Sequence, residues 1–322
     1  MAMTAQKADA RPKNLGRNTF RKDFKRRRIL YFMCIPGLLF YILFKYLPMY
    51  GIVVAFLDYN PYTGLAGLFN SEFVGLRWFT RMFQQTQFWN ILRNTLLINV
   101  YMLIWAFPMP IILAILINEV RSSTYKRLAQ SVTYLPHFLS WAIVSGFIFE
   151  LLSTNNGLLN NVLMGLNLID KPIQYIVEPK YFRTILVASS VWKEVGWDSI
   201  IYLAAIVGVD QALYEAATVD GASRFKQVFH ITLPALLPVI SVCMILNLGR
   251  LMSTGFDQIY MLMTPNTQKV GDVFSTFIYR VGIQNGQYSF TTAIGLFQNV
   301  VNCILVVTVN MITKRMTGNG IW

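Results

Sequence analysis

Six ionisable residues sit within apolar stretches of this 322-residue chain: Lys45, Lys193, Glu194, Asp198, Arg250 and Asp257. A charge held in hydrocarbon costs on the order of 3 kcal/mol unless it meets water, a partner or a substrate, so each is a candidate for a hydrated path. Glu194 and Asp198 share a helix face at i and i+4. With Lys193 snorkelling towards the interface, the three could instead pair among themselves. Lys45, Glu194 and Asp198 could also form an ion relay. Arg250 and Asp257 fit path and pairing equally, whereas Lys45, beside Tyr46 and Pro48, reads as functional. Trp192, Trp197, Phe256 and Tyr260 offer flat aromatic faces of the kind that sugars stack on, with helix packing as the competing role. Cations along such a path would suit an acidic sugar, because a carboxylate takes charge-assisted hydrogen bonds.

Other chemistry is missing. No G-x-x-x-x-G-K-[ST] occurs, so ATP phosphates have no P-loop to sit in. His137 and His230 belong to no metal-binding spacing and read as structural. No G-x-S-x-G elbow accompanies a triad. Cys34, Cys243 and Cys303 all lie in apolar runs, imply no disulfide framework and read as small buried hydrophobes. The expectation is a chain without catalytic residues, metal or cofactor.

The elements that carry these residues follow from composition. Hydrophobic residues make up 55% of the chain and charged residues 13%, with a mean hydropathy of +0.46. A bilayer core needs roughly 20 apolar residues in a helix. Six stretches qualify, near 29–57, 94–117, 132–152, 184–209, 233–256 and 289–313, with Arg250 and Asp257 near the outer half of the fifth. Ten of the 28 Lys+Arg precede residue 29. This places a basic tail over 1–28, with residues 1–20 poorly ordered and 21–28 starting a juxtamembrane helix, followed by a membrane domain over 29–322. The apolar run after the tail is too long for a cleaved signal. With both termini in the cytoplasm, the cytoplasmic segments hold seventeen Lys+Arg and the opposite face eight, the sense of the positive-inside rule. A basic tail against anionic lipid accounts for the net charge of +13 better than nucleic acid does. The long segments 58–93, 153–183 and 257–288 then face outward and read as binding surfaces.

The cytoplasmic loop 210–232 is the most informative stretch. Asp210 is placed to cap a helix and Gly221 to end it about ten residues later, while Ser223 could cap a second short helix before Pro234. Ala212, Ala216 and Ala217 leave the first helix thin, and Leu213, Tyr214 and Glu215 give it apolar and charged contacts. This is a knob suited to a groove.

The order Glu215-Ala216-Ala217, two residues, Asp220-Gly221-Ala222, then Phe225, Ile231, Leu233-Pro234 and Pro238 resembles the EAA loop of binding-protein-dependent ABC importer permeases. Glu215, Ala216, Ala217, Asp220 and Gly221 match its motif. The runs Phe44–Gly51, Phe73–Leu76, Trp192–Trp197 and Gly255–Tyr260 are similar to the oligosaccharide branch of that family. The resemblance implies an all-α, six-transmembrane-helix type I permease fold and a coupling helix that docks on an ATPase subunit. It also implies a second permease subunit, two ATP-binding subunits, and a periplasmic solute-binding protein that delivers an oligosaccharide, including acidic, alginate-like ones. The site would be a bacterial inner membrane, and the motion alternating access. Two rivals stand beside it: a secondary transporter using the ion relay, and a membrane scaffold or enzyme.

Overall fold

The computed structural model describes residues 17–317, in which 79% of the chain is helical. The tail expected over 1–20 therefore lies mostly outside the described residues, but 17–20 are helical. The backbone divides into two compact units, Met1–Val53 and Val54–Trp322. In the first, α1 (Arg17–Tyr41) has one non-helical residue, Arg27, and continues through a π turn over Ile42–Tyr46 that carries Lys45. Its apolar side chains, such as Ile29, Phe32 and Phe44, lie exposed. This is the state expected of a segment whose solvent is lipid, where the helix alone satisfies the backbone.

In the second unit the helices are α2 (Arg77–Gln84), α3 (Thr86–Tyr101), α4 (Pro108–Glu119), α5 (Ser123–Tyr134), α6 (Trp141–Leu151), α7 (Leu158–Gly165) and α8 (Pro179–Val207). They continue with α9 (Gln211–Val219), α10 (Arg224–Gln227), α11 (Leu233–Leu248), α12 (Phe256–Leu262) and α13 (Tyr288–Thr317). Four helical runs among the described residues are long and apolar enough to cross a membrane, or six if each of two bent pairs is one span.

Three expected spans change shape. The second starts at Thr86, because α3 and α4 fuse through a π turn at Met102–Ala106. That turn, closed by Phe107 N–H to Met102 C=O at 3.0 Å, precedes Pro108, which brings no N–H of its own. The third is broken: a short turn at Leu135–Phe138 follows α5, and the chain bends by 100° into α6. The fifth begins earlier, at Arg224, and its helix stops at Leu248 instead of 256. Asn302 accepts from the Met252 N–H, and Gln298 donates to the Met252 carbonyl. These side chains of α13 hold residues just beyond α11 out of helical register. Arg250 therefore lies past the helix end, and Asp257 in the separate α12.

The segments expected to face outward gather at one end. Tyr59 N–H donates to Ser289 Oγ at 3.0 Å. Asn94 donates to the carbonyls of Lys269 and Asp272, and Arg183 donates to Asn94 Oδ1. Asp272 pairs with Arg280 and accepts from Thr276. Burial pushes its carboxyl up, and those two partners oppose the shift. Met82, Phe88, Phe274, Phe277 and Phe290 fill the core beneath. At the other end Ile111, Ile117, Leu203, Ile206 and Leu236 pack α4, α8 and α11 together. Cys34 and Cys303 lie exposed and Cys243 half-buried, so the cysteines are not the buried hydrophobes expected, though all are free thiols. The exposed pair sit on helix faces that hydrocarbon or another subunit would cover.

Candidate functional site

The loop after α8 folds as a capped knob. The chain turns by 71° between α8 and α9. Asp210 accepts from the Ala212 N–H at 2.9 Å, satisfying one free donor of the first turn. At the other end Gly221 takes φ +74°, the Ala222 N–H reaches the Ala217 carbonyl at 2.8 Å, and the Gly221 N–H reaches Thr218 at 3.1 Å. This pair of bonds is the Schellman closure, which needs a left-handed residue in the glycine position. Ser223 caps α10 by accepting from the Lys226 N–H.

The knob is fastened to the bundle through Tyr214, expected from the sequence as an apolar contact, and through Thr232 and Gln227, which the sequence did not single out. Tyr214 Oη meets Thr232 Oγ1 at 2.9 Å, and Thr232 is only 1% exposed. Gln227, buried, donates to Thr218 Oγ1 at 3.0 Å and to the Ala222 carbonyl. Arg224 pairs with Glu119 at the end of α4. Glu215, Ala216 and Asp220 remain exposed, Ala217 is half-buried, and Val219 and Phe225 stand out as exposed apolar groups. A short capped helix offering the exposed carboxylates of Glu215 and Asp220 beside apolar corners can dock on a partner.

A second feature lies within the bundle. A cavity of about 870 Å³ is lined by Trp141, Glu194, Trp197 and Asp198 on one side and by Asn247, Arg250 and Gln258 on another. Its size falls in the range of small-molecule sites, and these aromatic and polar groups interrupt a mostly aliphatic lining that includes Leu103, Val195, Ile201 and Leu246. Of the path candidates, Trp197 and Arg250 line it. Lys193, Trp192, Phe256, Asp257 and Tyr260 do not. Phe256 and Tyr260 stack on each other at 5.0 Å and both pack on Tyr279, while Trp192 and Asp257 are exposed elsewhere. Lys45 belongs to the first unit.

Lys193 does not snorkel. It is 5% exposed and donates to Glu194 Oε1 and to the His137 carbonyl, each at 2.8 Å. Glu194 Oε2 meets His137 Nδ1 at 2.5 Å, and the His137 ring stacks on Trp197 at 4.4 Å. This cluster clamps the bend after α5 onto α8. Its partner was invisible in sequence because His137 lies 56 positions away. Gly196 sits where α5 crosses, so close that an added Cβ would strike the Thr133 backbone. The charged side chains lining the cavity are Glu194, Asp198 and Arg250.

A profile described as "Binding-protein-dependent transport system inner membrane component" matches residues 106–318, which takes in the α9 knob and most of the residues lining the cavity. The chain belongs to that family. It is a membrane permease, and it has the type I ABC permease fold. The permease is 42% identical over 323 residues to Protein LplB of Bacillus subtilis (strain 168), covering all of both chains. It is 41% identical to the polygalacturonan/rhamnogalacturonan transport system permease protein YteP of the same organism, over 94% of this chain and 95% of that one. A crystal structure of a bacterial ABC transporter involved in import of the acidic polysaccharide alginate superposes with a TM-score of 0.85 at 40% identity, over 92% and 99% of the two chains. A structure of the bacterial alginate transporter with a pentasaccharide-bound periplasmic protein gives the same score.

Proposed function

We propose that the permease forms half of the transmembrane pathway of an ATP-driven importer that receives acidic oligosaccharides from an extracytoplasmic binding protein. A second permease subunit supplies the other half, and two ATP-binding subunits dock on the coupling helices, α9 in this chain. The membrane is the bacterial inner membrane, with both termini in the cytoplasm. The boundary between basic tail and permease domain is drawn at residue 28, six helices cross, and the loop 210–232 faces the motor. The observation that carries this reading is the α9 knob, capped at both ends, fastened through Tyr214 and Gln227, and offering Glu215 outward. Such a body transmits force without deforming. Glu215, Ala216, Ala217, Asp220 and Gly221 form its docking surface.

ATP binding draws the motor subunits together, the knobs move with them, and the bundle alternates between outward and inward access. Trp197 and Arg250 are the cavity residues best placed to meet a sugar ring. Lys193 holds the wall in shape, and Lys45, Trp192, Phe256, Asp257 and Tyr260 act away from this cavity. The acidic class rests on the named relatives, one for polygalacturonan and rhamnogalacturonan and one for alginate. An ion relay through Glu194 is disfavoured, because Lys193 and His137 already hold its carboxylate.

The test is reconstitution of the complete complex, with uptake measured for neutral and uronic oligosaccharides. ATP-dependent uptake stimulated by loaded binding protein supports the proposal. Uptake by this chain alone, collapsed by a protonophore, would overturn it.

A further inference from the structure

At the end of the bundle opposite α9, helix α2 lies across the start of α13. Arg77, Thr80, Arg81 and Gln84 fall at i, i+3, i+4 and i+7, hence on one face. The other face packs Trp78, Phe79 and Met82 onto the phenylalanine core. The polar face borders a concavity of about 560 Å³ lined by Arg77, Trp78, Thr80, Arg81 and Gln84, with no carboxylate among them.

The two guanidinium groups are held by aromatic rings more than by anions. Arg81 lies 5.5 Å from the Trp78 ring centre and 5.0 Å from that of Phe290. Arg77 lies 5.4 Å from Trp78 and touches Asp58 only at 3.7 Å, both side chains being half-exposed or more. Trp78 is itself fixed, its indole N–H donating to the Leu57 carbonyl at 2.9 Å. Stacking orients a guanidinium without neutralising it, and leaves its N–H edge free for a planar oxyanion. The result is a pair of oriented positive forks beside a hydroxyl and an amide.

We propose that this concavity is an oxyanion site that holds the carboxylate of a uronic-acid unit before it enters the bundle. The inference rests on the importer reading for the class of sugar, and it answers a gap in the cavity, whose lining carries two carboxylates and one arginine. Recognition of acidic sugar is thus separated in space from passage.

A phospholipid phosphate shares the chemistry, so the test needs both sources. The complete complex is placed in phosphatidylcholine or phosphatidylglycerol nanodiscs, and binding of a galacturonate trisaccharide is measured by calorimetry without ATP. In phosphatidylcholine, Arg81→Gln is expected to weaken binding about tenfold, the size of one lost charge-assisted bond, with Arg81→Lys intermediate. Arg77→Gln, on an exposed side chain outside the core, should weaken it in the same sense and controls for misfolding around Phe290. The proposal is overturned if both glutamine variants bind the trisaccharide as wild type does, or if their only effect is loss of co-purifying phosphatidylglycerol. Because no ATP is used, absence of ATP-driven uptake would count against the importer reading and leave this result readable.

Discussion

Gly221 offers the sharpest separation of backbone conformation from contact. Its φ is +74°, and a Cβ built on it meets nothing within 4 Å. Any cost of substitution is therefore conformational. A left-handed alanine costs roughly 1–2 kcal/mol, a factor of about 5 to 30 in the population of the closed cap. Asparagine tolerates that region and should cost less. Proline cannot reach it, and also removes the Gly221 N–H that bonds to Thr218 at 3.1 Å, so its cost should be about 3 kcal/mol or more. The expected order of damage is Asn, Ala, Pro. The assay is sugar imported per ATP hydrolysed in proteoliposomes, with hydrogen exchange across 211–222 reporting the cap directly. Equal coupling in alanine and asparagine variants, or full transport by Gly221→Pro, would refute the argument that a rigid knob end transmits the stroke.

Two further substitutions probe the clamp between the α5 bend and α8. Lys193→Met should destabilise the complex by roughly 3 kcal/mol, because it strips a buried partner from Glu194. Adding Glu194→Gln should recover much of that loss, which thermal unfolding in detergent would show and a purely steric effect of methionine would not. Gly196→Ala should cost about 1–3 kcal/mol or block folding, because its methyl group runs into the Thr133 backbone. An alanine variant of wild-type stability would mean that α5 and α8 are less tightly apposed than their geometry implies.

The loop 210–232 was the most legible part of the sequence, and the reason is local. Asp210, Gly221 and Ser223 act within three or four residues of themselves, so side-chain type and spacing foretell the bonds they make. What fastens that loop was not legible. Tyr214 reaches Thr232, and Gln227 reaches back to Thr218, across a turn whose path only the fold defines. The spans show the same division. Apolar content located four of them outright and two more only as parts of bent pairs, and lengths and ends failed where a π turn, a 100° bend or the Asn302 side chain intervened. Lys193 is the clearest case: hydropathy predicts that a lysine in a span reaches for water, whereas a carbonyl and a carboxylate brought in by the fold keep it buried.

The two features of the site are joined by continuous backbone. Helix α8 ends at Val207, and three residues separate it from the first residue of α9. Asp198 lies nine residues back along it, roughly 14 Å at 1.5 Å per residue, with Trp197 and Glu194 beyond. On the other side Thr232, gripped by Tyr214, stands at the foot of α11, whose far end carries Asn247 to the cavity. On the proposed coupling, a displacement of the knob would act on two walls of one cavity through two rods, one covalent and one tied by a part-buried hydroxyl pair. The rods are pinned together low down by Leu203, Ile206 and Leu236, whereas the Trp197 wall is held further up by His137 and Lys193. With a fixed point below and a clamp above, the proposed mechanism would turn small tilts at α9 into changes of cavity width. The capped ends of the knob and the buried Lys193 of α8 thus stand at the two points where the rod is held.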